Sequence, residues 1–149
     1  MNVFVKHKAW ICCLLGAVLM PSVSFGDDAD PIVNLPAAEM GWEATGEGVE
    51  FAPLIGDRFK EPYMAMVRLP AGLISPAHTK TANMFGVVIE GVFQHYAVGS
   101  DDDNHVLLPA GSFYRIPAGV PHISVCASSR ECVSFLYQDG KFDFIPEAP

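Results

Sequence analysis

Gly111-Ser-Phe-Tyr-Arg-Ile-Pro-Ala-Gly-Val-Pro-His122 is the stretch on which the reading of this chain turns. Ser112–Ile116 is a strand-like run, Pro117-Ala118-Gly119 is a tight turn, and Val120-Pro121-His122 enters a second strand. Pro117 fixes φ and ends the first strand, and Gly119 supplies the positive φ that a reversal needs. A histidine just after such a turn is held by rigid backbone at the mouth of whatever the strands enclose. Arg115 is expected to face water, which sends Tyr114 and Ile116 to the opposite, enclosed face.

Outward from this stretch the chain continues as short strands punctuated by Gly and Pro. Val49–Leu54 and Tyr63–Leu69 are strand-like, the second alternating Met64, Met66 and Arg68 against Ala65 and Val67. Gly56-Asp57-Arg58 is a loop between them, and Pro70-Ala71-Gly72 is a turn before a strand at His78. Phe85–Val98 reads as a hairpin broken at Glu90-Gly91, with Glu90 a turn charge. Gly99–Asn104 is an acidic loop, His105 after it is expected on the surface, and Cys132–Gln138 is one more strand. No long helical period follows residue 26, which predicts an all-β sandwich or barrel in one domain. The final Lys141-Phe-Asp-Phe-Ile-Pro is expected to pack its aromatics on the outside of that barrel.

The spacing of the opening stretch, G-x5-P-x-G-x2-H, resembles the second signature motif of the cupin superfamily of small β-barrels. The first cupin motif follows the same resemblance, in degraded form, from Gly72 to Gly91. Gly72 and five residues lead to His78 at the first ligand position. Lys80 stands at the second histidine's place, Met84 at the glutamate's, and Cys126 at the closing asparagine's. The resemblance covers Arg68 to Tyr137 and implies a single-domain jelly-roll barrel with a central cavity, often holding a divalent metal. It fixes no activity, because one fold hosts enzymes, storage proteins and sensors.

By that resemblance His78 and His122 would offer two imidazoles to one divalent transition metal, a role their nitrogens suit. A working site asks for at least three protein ligands. His95 supplies the third if Phe93 and His95 face inward; with the opposite parity Gln94 and Tyr96 face in instead. Cys126, four residues past His122 on a continuous strand, shares its face and is the other third ligand. That role competes with a Cys126–Cys132 disulfide across the Ala127–Glu131 loop, which an oxidising compartment favours. Lys80 is a poor ligand and a natural holder of an anionic small molecule, and Met84 offers only a soft thioether. Tyr114 is either a cavity hydrogen-bonding group or a packed aromatic. Metal-dependent enzyme and metal-free binding or sensing barrel both stay open.

Composition bounds the setting. Lys6 and Lys8, the apolar Ala9–Met20 and Ser24-Phe25-Gly26 have the form of a cleavable signal peptide, residues 1–26, whose apolar run is shorter than the about 20 residues of a spanning helix. A periplasmic or secreted protein is the expectation. Removing residues 1–26 of the 149 leaves 123, with seven basic against 17 acidic residues and a net charge of −10. Such a surface disfavours nucleic acid and anionic membrane as partners and leaves a small molecule. Residues 27–48 read as an extended arm and 49–149 as the barrel domain. Cupins that assemble do so through barrel faces, which leaves a homodimer open.

Overall fold

The computed structural model of the chain describes residues 31–100 and 106–148. The signal-peptide reading, the first residues of the arm, His105 and the acidic residues Asp101–Asp103 lie outside them. Eleven strands follow a short 3-10 turn at Ala37–Glu39: β1 Glu43–Ala44, β2 Glu50–Ile55, β3 Tyr63–Leu69, β4 His78–Thr79, β5 Met84–Glu90, β6 Val92–Ala97, β7 Leu108–Pro109, β8 Phe113–Ile116, β9 His122–Cys126, β10 Cys132–Gln138 and β11 Ile145–Pro146. They form two sheets, in the orders β1-β2-β3-β10-β5-β8 and β11-β4-β9-β6-β7. Each strand pairing within them is antiparallel. This is the two-sheet jelly roll the sequence predicted.

Alternation decides what lies between the sheets. In β3 Tyr63, Ala65, Val67 and Leu69 are buried, while Met64, Met66 and Arg68 turn outward. In β8 Tyr114 and Ile116 are buried, and Phe113 and Arg115 are exposed. The core joins these to Phe51, Met84, Val88, Phe93 and Leu136, drawn from both sheets. β1 lies inside the stretch read as an arm and pairs Glu43 with Phe51 of β2, so regular pairing begins before residue 49.

Two glycines shape the barrel near the cavity. Gly119 has φ 74°, the reversal expected of the Pro-Ala-Gly turn, and its N–H donates to the Lys80 carbonyl at 2.8 Å. Gly86 on β5 lies opposite Tyr114 of β8, and the missing side chain is the space the phenol occupies. Cys126 and Cys132 form a disulfide with Cα atoms 5.6 Å apart, joining the ends of β9 and β10. Cys126 does share the inward face of His122, but its sulfur is engaged with Cys132, so the alternative of Cys126 as a metal ligand gives way to the disulfide.

Candidate functional site

A cavity of about 80 Å³ opens between the sheets, lined mostly by apolar side chains with His78, Lys80, His95, Tyr114, Ser124 and Ser134 among its polar groups. That is room for about six water-sized groups, at ~10–15 Å³ per water centre. β4 and the residues after it alternate His78 and Lys80 inward against Thr79 and Thr81 outward, and both inward residues are buried. β9 lies beside β4, with His122 directly across from His78, their rings 4.2 Å apart. β6 lies on the other side of β9, with His95 opposite Ser124.

The question of parity on β6 is thereby answered. Phe93 and His95 both line the cavity and stack at 5.7 Å, and His95 packs 4.3 Å from the Tyr114 ring. His95 and His122 also border a second, more open recess of about 180 Å³ with Arg115 and Val120. Met84 lines the inner cavity as part of the packed core.

Two of the three imidazoles share one hydrogen-bonding pattern. Nδ1 of His78 donates to the Pro76 carbonyl and Nδ1 of His122 to the Val120 carbonyl, each at 2.9 Å. In a neutral ring this leaves Nε2 as the acceptor. Nδ1 of His95 is paired with the Ser124 hydroxyl at 2.9 Å. The Nε2 atoms of His95 and His122 are buried with no partner. Desolvation by burial favours the neutral rings, lowering His78 to about 4, His95 to about 3, and His122 in the same direction. Burial likewise pushes the Tyr114 phenol up to about 12, where its hydroxyl stays protonated and hydrogen-bonded to Ser134 at 3.1 Å.

Lys80 supplies the site's positive charge. Its Nζ donates to the Asp143 carbonyl at 2.5 Å and lies 4.3 Å from the centre of the Phe142 ring. Desolvation lowers its pKa to about 8, opposed by the charges of Asp143 and Glu47.

The segment Lys141–Glu147 departs from expectation. Its aromatics cover the cavity instead of packing on the outside of the barrel. Phe144 stacks on His78 at 4.2 Å, and Phe142 meets Phe51 edge-on at 5.3 Å; both line the cavity. The Asp143 carboxylate accepts from the backbone N–H and hydroxyl of Thr81, and the Thr79 hydroxyl donates to Glu147. β11 pairs with β4, and the Phe142 N–H donates to the Arg58 carbonyl. The physical reason is Lys80: a buried ammonium draws a carbonyl and aromatic faces inward. The pattern Phe142-x-Phe144 beside a two-residue strand was the available signal. Ser124, two residues past His122 on the same strand, also lines the cavity, a position that strand parity alone gives it.

Imidazoles with Nδ1 tied to backbone carbonyls and Nε2 free have the tautomer a ligating histidine needs. Among the described residues, however, no three or more His, Cys, Asp or Glu groups are gathered so as to hold an ion. The cationic Lys80 stands where a second histidine would be. The residues fit as a facing pair and do not fit as a complete centre.

Comparisons with known proteins agree with this architecture. Solved structures with similar folds include KdgF from a Halomonas species (16% identity, TM-score 0.58, covering 73% of this chain and 94% of that one). An RmlC-like cupin from Shewanella frigidimarina has 19% identity and TM-score 0.54, over 69% of this chain and 86% of that one. The polyketide cyclase RemF from Streptomyces resistomycificus has 15% identity and TM-score 0.63, over 80% and 87%. These likenesses establish the fold alone. No curated protein matches the chain in sequence. Residues 43–148 match the family described as a domain of unknown function, DUF4437. The chain is a cupin by fold and belongs to the DUF4437 family.

Proposed function

We propose that the protein is an exported cupin that binds a small molecule in its central cavity, through imidazole nitrogens and not through a resident metal. The observation that carries this reading is the buried, unpartnered Nε2 of His95, whose ring lines the mainly apolar cavity, with a second such atom on His122 at the adjoining recess. A buried polar nitrogen without a partner costs roughly 1–3 kcal/mol, which a hydrogen-bonding group on a ligand would recover. His78 adds a third neutral ring, and Phe144 and Phe142 add an aromatic cover over the apolar body of the ligand. The disulfide and the leader-like residues 1–26 support export into an oxidising compartment.

The test is native mass spectrometry with elemental analysis, on protein purified from the periplasmic fraction without chelators or a His-tag. The expected result is less than a tenth of an equivalent of metal. A small-molecule adduct should be present that is lost on denaturation and diminished in His122→Gln. Near-stoichiometric metal that disappears in His78→Ala and His122→Ala would overturn the reading in favour of a metal centre with a third ligand recruited to the histidine pair.

A further inference from the structure

Lys80 is the least compensated charge of the site. It is 6% exposed, yet no carboxylate lies within ion-pair distance of its ammonium among the described residues. Its polar contact among the described residues is one carbonyl, that of Asp143, so two of its three N–H donors have no acceptor among them. Phe142 and Phe144 present ring faces to the same nitrogen, at 4.3 and 5.7 Å. The Asp143 carboxylate is turned away, committed to Thr81. Glu47 lines the cavity and acts on Lys80 through space without contact. A charge removed from water this far ordinarily has a counter-ion.

We infer that the ligand of this cavity is a small monocarboxylate with an apolar body, its carboxylate taking the two free donors of Lys80 beneath the Phe142–Phe144 cover. The inference rests on the cavity being a ligand site and adds the chemical class. The geometry favours one anionic end only. Lys80 is the one basic side chain among the cavity-lining residues apart from the histidines, which burial keeps neutral. Beside the carboxylate of Glu47 and neutral hydroxyls such as those of Ser75 and Ser124, the rest of the wall is apolar, with Val49, Phe51, Val67 and Leu69 in it. A neutral hydrogen-bonding group elsewhere on the ligand, such as a hydroxyl, which both donates and accepts, would meet the unpartnered Nε2 of His95. Dicarboxylates would place a second charge against an apolar wall or beside Glu47.

The experiment compares shape-matched pairs, butyrate with butyramide and benzoate with benzamide, by NMR shift titration of protein expressed from the full sequence. Lys80→Met is titrated beside the wild type. The expected result is that each carboxylate binds the wild type at least tenfold more tightly than its amide. Lys80→Met should erase that preference while still binding the amides. Amides binding as tightly as carboxylates to the wild type would overturn the inference and leave the cavity reading standing. Binding of none of the four compounds would overturn both. The wild-type comparison decides even where Lys80→Met does not fold.

Discussion

Gly86→Ala is the sharpest probe of how the cavity wall is built. A Cβ at Gly86 would lie 2.1 Å from Tyr114 Cζ and 2.3 Å from its Oη, far inside contact distance. The ring cannot slide away freely. It packs against His95 at 4.3 Å and Phe93 at 6.3 Å, and its hydroxyl is tied to Ser134. Overpacking a core by one methyl costs about 1–3 kcal/mol. Breaking the Tyr114–Ser134 hydrogen bond adds about 1 kcal/mol. The expected destabilisation is therefore about 2–4 kcal/mol, read as a lower urea midpoint at unchanged m-value. Tyr114→Leu removes the clash, so the Gly86→Ala/Tyr114→Leu pair should be more stable than the sum of the two single changes predicts. A Gly86→Ala protein within about 0.5 kcal/mol of wild type would refute the account of Gly86 as the phenol's niche.

Two further predictions concern the same barrel. Reducing the Cys126–Cys132 disulfide, which closes a short loop of sequence separation six, should cost about 2 kcal/mol, measured by urea unfolding with and without reductant; an unchanged midpoint would contradict it. Acid should weaken the fold through the histidines. Their folded pKa values lie below the ordinary 6.5, so between pH 6.5 and about 4 the unfolded chain binds protons that the native rings refuse. Stability is full above pH 6.5 and falls as the pH drops through that window, by about 1.4 kcal/mol per pH unit for each ring that stays neutral. Urea midpoints at pH 7 and pH 5 check this, and His95→Gln should flatten the slope; equal slopes in variant and wild type would refute it.

Much of this was legible because it is local. The Pro117–Gly119 turn, the break at Gly91 and the alternation in β3 each follow from a few adjacent residues whose backbone preferences admit one solution. Gly91 at φ 79°, with a Cβ position 2.9 Å from the Cys132 Cα, shows why that break is a glycine. The inward position of His78, Lys80 and His122 was carried by motif spacing. The facing of β6 was not legible, since a slip of one residue at the Gly91 turn exchanges His95 for Gln94 or Tyr96. Nor was the choice between disulfide and metal at Cys126, which depends on where β10 returns. The cover was misjudged because its anchors are remote: Asp143 meets Thr81 from 62 residues away, and no periodicity encodes that.

The alternation along His78–Thr81 has a consequence for how the site behaves as a whole. Its inward pair, His78 and Lys80, presents a ring and a charge to the cavity, while its outward pair, Thr79 and Thr81, fastens the segment that roofs it. Lys80 does both, through its bond to the Asp143 carbonyl. For a ligand held as proposed, recognition and latching would fall to the same four residues, so affinity and exchange rate would not be independent quantities. A substitution that loosens the latch would then alter the dissociation rate and Kd of that ligand together. Assigning either effect to a single residue requires double-mutant cycles that pair this strand with the roof it carries.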